Sequence, residues 1–174
     1  MPPSQHTVEN RVEAALDTVF EADRKLLVDD ANERCITHRL AIYLEKEIAE
    51  FEREYTVDVE YNRVTEPNGA TDSIKKRVAY DAISDECRGR RIRDDDTDAQ
   101  TVFPDIIVHE RGSSDHNLLV IELKKTSSTD SGKCDKEKIE RFRDDLGYDY
   151  GIFLQLMADG ESGIEEWASF PDSA

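Results

Sequence analysis

The stretch that most constrains the fold is VFPDIIVHERGSSDHNLLVIELKKT, residues Val102 to Thr126. It contains two apolar, β-branched runs, Asp105–Val108 and Leu118–Leu123, separated by the turn-forming segment Gly112–Asn117. Such runs around a Gly/Ser/Asp/Asn cluster are the pattern of a β-hairpin. Charges fall at its far end: Asp105 opens the first run after Pro104, and Glu122 and Lys124 close the second. Residues two apart on a strand share a face, so Glu122 and Lys124 point the same way. Pairing Asp105 with Glu122 centres the hairpin between Ser113 and Ser114, inside the expected loop. Directly opposed residues of an antiparallel pair are neighbours on one face. The expected register therefore gathers two carboxylates and one ammonium at one end of the hairpin.

Pro104-Asp105 followed by Glu122-Leu123-Lys124 resembles the core of the PD-(D/E)XK nucleases, a superfamily that includes restriction endonucleases and Holliday-junction resolvases. A second acid-x-Lys, Asp23-Arg24-Lys25, lies in a helical-looking segment and has no suitably spaced upstream Asp. The resemblance in element order covers residues 31 to 156. It implies an α/β, restriction endonuclease-like αβββαβ core, with a central mixed four-stranded sheet flanked by helices. It also implies that Asp105, Glu122 and Lys124 are catalytic. The first core helix of that family often brings a glutamate to the site, and Glu33 is the matching position.

Periodicity supplies the same order independently. Apolar residues at 8, 12, 16, 19, 20, 26 and 27 predict an extra N-terminal helix over 8–28. Ile36, Leu40, Tyr43, Leu44, Ile48 and Phe51 predict a second helix from Asp30 to Arg53, with Asp30 as N-cap and Glu33 at its third position. An acid there is also favourable to the helix dipole alone. Thr56–Arg63 alternates like a half-buried strand, with Glu60 on its polar face. Ile74–Ile83 reads as a short helix, and Asp94–Asp96 beside Arg90, Arg91 and Arg93 as a solvated loop. After the hairpin, Cys134–Leu146 is helical with Ile139, Phe142 and Leu146 on one stripe, and Gly147 ends it. Tyr148–Met157 reads as a buried strand, so a strand–helix–strand unit implies parallel pairing. Gly163–Phe170 is expected to add a helix with Trp167 buried. At 174 residues, the chain is expected to form a single domain: the extra helix, a core over 31–156 and a tail over 157–174.

The net charge of −17 runs against a nucleic-acid partner, since such proteins carry a basic footprint. It fits an acidic surface adapted to high salt, where screening removes long-range repulsion. It also fits an acidic protein with local basic patches. From Lys124 to Arg143 there are seven basic residues against four acidic, and from Lys75 to Arg93 seven against three. Arg39, Lys125, Lys133, Lys136, Lys138 and Arg141 are the candidate nucleic-acid contacts, although cations on a helix also read as a solvated face. Three widely spaced cysteines, Cys35, Cys87 and Cys134, form no CxxC pair and indicate neither a disulfide framework nor zinc, so a reducing cytoplasm is expected. No apolar run is long enough to span a membrane, and no signal peptide is evident.

Phosphodiester hydrolysis needs charge neutralisation and an activated water, which hard divalent cations supply through oxygen ligands. Asp105, Glu122 and the main-chain carbonyl of Leu123 are the candidate ligands for Mg²⁺ or Mn²⁺. Lys124 is placed to steady the attacking water. The expected activity is metal-dependent cleavage of nucleic acid, DNA first. Two alternatives stand: a nuclease-fold module that binds nucleic acid or a protein without cutting, and an acidic mimic of nucleic acid. No separate sequence-reading module is evident, so specificity would come from substrate structure, a homodimer or a partner subunit.

Overall fold

A computed structural model describes residues 1–61, 84, 86–87, 103–113, 115–128 and 131–157, and the backbone of strands at 63–64, 74–75, 77–79, 99–101 and 163–167. The chain begins with α1 (Gln5–Ala22), capped by the Ser4 hydroxyl, which accepts from the Thr7 N–H. The expected single N-terminal helix breaks at Asp23, and α2 (Arg24–Val28) follows. The break has a reason. The Asp23 carboxylate leaves the helical pattern to accept from Arg39 Nε at 2.7 Å and from the Tyr43 hydroxyl at 2.6 Å. Helix α3 (Glu33–Ile48) is capped by Asn32, not by Asp30 as the sequence suggested. Asp30 takes a left-handed backbone, φ 52°, and its carboxylate accepts from Lys125 and Ser127.

Strand β1 (Thr56–Val59) ends at Glu60, whose φ of 51° turns the chain out of the sheet. Two short antiparallel pairs follow: β2 (Arg63–Val64) with β3 (Ile74–Lys75), and β4 (Arg77–Ala79) with β5 (Ala99–Thr101). At the described positions of 74–83 the expected helix is therefore strand; a window this short carries no decisive periodicity. The expected Asp94–Asp96 loop lies outside the described residues, as does most of the Lys75–Arg93 basic window.

Strands β6 (Ile106–His109) and β7 (Asn117–Lys125) form the hairpin. Helix α4 (Lys133–Leu146) and strand β8 (Tyr150–Leu156) complete the unit. Gly147, at φ 67°, ends α4 in the left-handed conformation the sequence anticipated. The expected C-terminal helix is instead strand β9 (Gly163–Trp167), antiparallel to β8. The central sheet thus has five strands in the order β1-β6-β7-β8-β9, not four. The first four follow the helix–strand–hairpin–helix–strand order, with β7 and β8 parallel and the other pairs antiparallel.

Side-chain alternation separates the two faces of this sheet. Ile106, Val108, Ile121, Leu123, Ile152 and Leu154 join the core under α1 and α3. Ile107, Val120 and Phe153 join Ile139 and Phe142 of α4 on the other face. The molecule is an α/β protein with helices on both faces of a mixed sheet. Among the described residues no helix is long and apolar enough to cross a membrane.

Cys87 and Cys134 form a disulfide across 47 positions of sequence, while Cys35 is free and exposed. The sequence spacing gave no sign of this bridge, because it joins the segment before the hairpin to the first turn of α4. The inference of a reducing compartment loses its support with it.

Candidate functional site

The hairpin takes the register its charges require. Ile106 pairs with Ile121, Ile107 with Val120 and Val108 with Leu119, before a bulge shifts His109 onto Asn117. One step beyond Ile106 the same register sets Asp105 against Glu122. Asp105 lies just outside the ladder, and its Oδ2 accepts the Leu123 N–H at 2.8 Å. The carboxylate thus takes the place of a backbone acceptor, which fixes it over the end of β7. Glu122 and Lys124 share the face of Val120, the face covered by α4.

Helix α4 delivers two further charges to the same place. Asp135, in its first turn, is buried, and Lys138 lies one turn on. Lys138 Nζ stands 2.6 Å from Asp135 Oδ1 and 3.4 Å from Glu122 Oε2. Lys124 Nζ lies 3.3 Å from Asp135 Oδ2. Glu122 is only 2 % exposed, and its Oε1 has no hydrogen-bond partner. A buried polar atom left in that condition is costly and calls for an explanation.

The electrostatics follow from three carboxylates facing two ammonium groups. Burial pushes the Glu122 carboxyl up to about 8, against the pull of Lys138 and with the repulsion of Asp105 and Asp135 added. Burial also raises Asp105, opposed by the Leu123 N–H and by Lys138 and Lys124. For Lys138, burial favours the neutral amine, but Glu122, Asp135 and Asp105 outweigh it and hold the ammonium well above its usual range. Burial likewise opposes Lys124, where Asp135, Glu33 and Asp105 prevail.

Glu33 reaches this end of the sheet from α3. Its Oε1 accepts the Lys125 N–H at 3.0 Å, tying the helix start to the last residue of β7. The structure thus brings together Asp105, Glu122, Lys124 and Glu33, with Leu123 supplying the backbone N–H that holds Asp105. Glu60 donates its N–H to the Asp105 carbonyl at 3.3 Å, but its carboxylate pairs with Arg34 at 3.0 Å.

The expected nucleic-acid contacts fare differently. Arg39 is committed to Asp23 and lies over the Tyr43 ring at 4.9 Å. Lys125 is committed within the molecule, its Nζ donating to Asp30 Oδ1 at 2.7 Å and to the Ala31 carbonyl at 2.8 Å. Lys133 pairs with Glu86 at 2.6 Å, Arg141 with Asp144 at 3.1 Å, and Lys136 lies over the Phe153 ring at 5.0 Å. Lys138 belongs to the carboxylate cluster. Most cations of this window thus have partners within the molecule. Net charge in a window does not reveal where its counter-ions fold.

Asp135 was missed by the sequence reading. A signal existed: positions 135, 139, 142 and 146 form one helical stripe, and an acid in phase with three apolar residues is a buried acid.

Oxygen donors from Asp105, Glu122 and Asp135, with an unanswered buried Glu122 Oε1, are the chemistry a hard divalent cation takes. As arranged, however, they close around ammonium groups. Among the described residues no three His, Cys, Asp or Glu side chains stand so as to hold a metal ion. Comparison of the chain with protein-family models, curated proteins and solved structures gives no match.

Proposed function

We propose that this protein is a metal-dependent nuclease of the PD-(D/E)XK kind, with a restriction endonuclease-like core extended by one edge strand. The observation that carries this reading is the convergence of Asp105, Glu122 and Lys124 at one end of the hairpin, with Glu122 buried and one of its oxygens unpartnered. Natural folds retain such a group at functional sites. The fold order alone would not carry the activity.

In this reading Asp105, Glu122 and the Leu123 carbonyl would hold Mg²⁺ or Mn²⁺, which would supply charge neutralisation at the phosphate and a more acidic water. Asp105 is oriented by the Leu123 N–H, so its direction does not depend on side-chain freedom. Lys124 steadies the attacking water and the developing charge. Glu33 fixes the end of β7, and with it Lys124, through the Lys125 N–H. Nucleic acid, DNA first, is the substrate class. Its recognition would come from structure, a second copy or a partner subunit.

The test is cleavage of duplex, single-stranded, flap and four-way-junction DNA and RNA, with Mg²⁺ or Mn²⁺, at low salt and in molar KCl. Metal-dependent cutting should fall at least about a hundredfold in Lys124→Ala, the size of contribution a positioned acid–base group makes. It should vanish in Asp105→Asn and Glu122→Gln, with circular dichroism showing all three folded. Cutting that survives these changes sinks the assignment.

One observation favours a second reading, a nuclease-fold module that binds without cutting. The carboxylates already face Lys124 and Lys138 and surround no metal-shaped site. Binding of uncut nucleic acid by wild type, unaffected by Asp105→Asn, would select it.

A further inference from the structure

Lys124, Lys125, Lys133, Lys138 and Arg141 each meet an acid of this molecule, and the chain as a whole carries −17. Charge therefore gives little hold on a polyanion, and a contact that works without charge is needed. Stacking of a base on an aromatic ring is such a contact. Phe103 is placed to make it. It is 52 % exposed, and it is the one exposed aromatic residue among the described residues. It lies two residues before Asp105, so their Cα atoms are at most about 7 Å apart. Pro104 between them is buried, and a proline restricts the backbone of the residue before it. Asp105 is held twice: its Oδ2 accepts the Leu123 N–H at 2.8 Å, and its carbonyl accepts the Glu60 N–H at 3.3 Å. Phe103 thus stands on a short, stiff tether to a fixed acid. Val59, 37 % exposed, pairs with Ile106, the residue after Asp105. Single exposed apolar side chains are ordinary. Here two of them flank one acid of the candidate site, and one of the two is aromatic.

We infer that Phe103 is a stacking platform for an unpaired base beside the scissile phosphate, and that the substrate is a single strand or flap rather than intact duplex. This rests on the nuclease reading above and names its substrate class. Inside a duplex both faces of a base are covered by its neighbours, so a protein ring stacks on a base only where that base is unpaired or turned out. Every base has a π-face, so stacking tolerates sequence. That suits a chain in which no sequence-reading module is evident.

The probe is fluorescently labelled oligothymidylate, with a blunt DNA duplex as control, bound in molar KCl without divalent cation so that nothing is cut. Anisotropy should show wild type binding the single strand more tightly than the duplex. Phe103→Ala should weaken single-strand binding about tenfold, within the range that alanine produces at a stacking aromatic. Phe103→Leu keeps apolar bulk without a π-face and should lose as much, while Phe103→Trp should bind at least as tightly as wild type. With Mg²⁺ added, cleavage of the single strand should fall in the same two variants. Circular dichroism checks that each is folded, and the strand preference of wild type needs no variant. Single-strand binding unchanged in Phe103→Ala, or kept in full by Phe103→Leu, overturns the stacking role, and wild-type cleavage then leaves the nuclease reading standing. A preference for duplex overturns the substrate class. A wild-type dimer that Phe103→Ala dissociates, seen by sedimentation, assigns the ring to a second copy and overturns the inference as well. Neither binding nor cleavage of any nucleic acid by wild type overturns the nuclease reading, and this inference with it.

Discussion

Asp58 of β1 shows what a purely structural acid looks like in this molecule. Its Oδ2 lies 2.9 Å from His109 Nε2 and accepts from Arg111 Nε at 2.8 Å, while Arg111 also donates to Oδ1. Burial alone would raise its carboxyl, but the Arg111 and His109 hydrogen bonds prevail and hold it below the ordinary 3.8. Both oxygens are answered, whereas Glu122 Oε1 is not. A carboxyl lowered by folding stabilises the native state above its unfolded pKa, and that stability is lost as pH falls through the folded value. Asp58→Asn should therefore cost about 1–3 kcal/mol at pH 7, the range for a charge-assisted hydrogen bond. The gap to wild type should narrow below about pH 4, as read by urea unfolding at pH 7, 5 and 3.5. A gap that does not change with pH would refute the ionic account. The contrast also shows which residues were legible in the sequence. Asp105 and Glu122 could be paired in advance because a strand has period two and the hairpin has one loop to centre on. The roles of Lys138 and Lys125 could not. Both sit in a window of net positive charge; Asp135 is an i,i+3 neighbour of Lys138 on α4, but Glu122, Asp30 and the Ala31 carbonyl are brought to these lysines only by how helices meet the sheet.

Helix α4 meets the sheet at a position the sequence did not mark. A Cβ on Gly151 of β8 would come within 2.3 Å of Ile139 Cγ2 and 3.5 Å of Val120 Cγ1, so the helix axis approaches β8 closer than any side chain there allows. At the helix start Gly132, with φ 70°, lies against the Phe153 ring, where a Cβ would be 2.2 Å from its Cζ. These two contacts set the depth of α4, and with it the reach of Asp135 and Lys138 to Glu122. Gly151→Ala should destabilise the protein by about 1–3 kcal/mol, the usual cost of overpacking a filled core. On the proposed reading it should also slow cleavage, because a helix lifted from β8 withdraws Asp135 and Lys138 from Glu122. Thermal melts and the cleavage assay check both, and a destabilised variant with unchanged cleavage would show that α4 contributes packing alone. The strands and helices of the core were readable because each carries a regular apolar period. The fifth strand was not, since GIEEW of β9 is too short to tell a strand from a helical turn by pattern, and its pairing with β8 decides the matter.

Across the whole molecule, the charge of −17 and the internal pairing of α4 act on the same quantity, attraction to phosphate. Lys133 with Glu86, Lys138 with Asp135 and Arg141 with Asp144 leave little unopposed positive charge on this helix. The segment before the hairpin reinforces this, anchored to α4 by the Cys87–Cys134 bond and by Ser84 Oγ donating to Glu137 at 2.7 Å. A protein that neutralises Z phosphates loses affinity with log salt at a slope of about −0.9Z on duplex DNA. Had all seven basic residues of 124–143 been phosphate contacts, the slope would be about −6. With most of them paired inside the molecule, one or two contacts remain and the slope should be about −1 to −2. The measurement is fluorescence anisotropy of labelled DNA with the non-cutting Asp105→Asn variant, in a divalent cation, from 0.1 to 1 M KCl. A shallow slope also means that binding persists in molar salt, where a Debye length of about 3 Å screens the repulsion of the acidic surface. On the proposed reading, an acidic chain would act on a polyanion through local, short-range contacts, with high salt removing the long-range penalty. A slope steeper than about −4 would show instead that the α4 cations exchange their internal partners for phosphates.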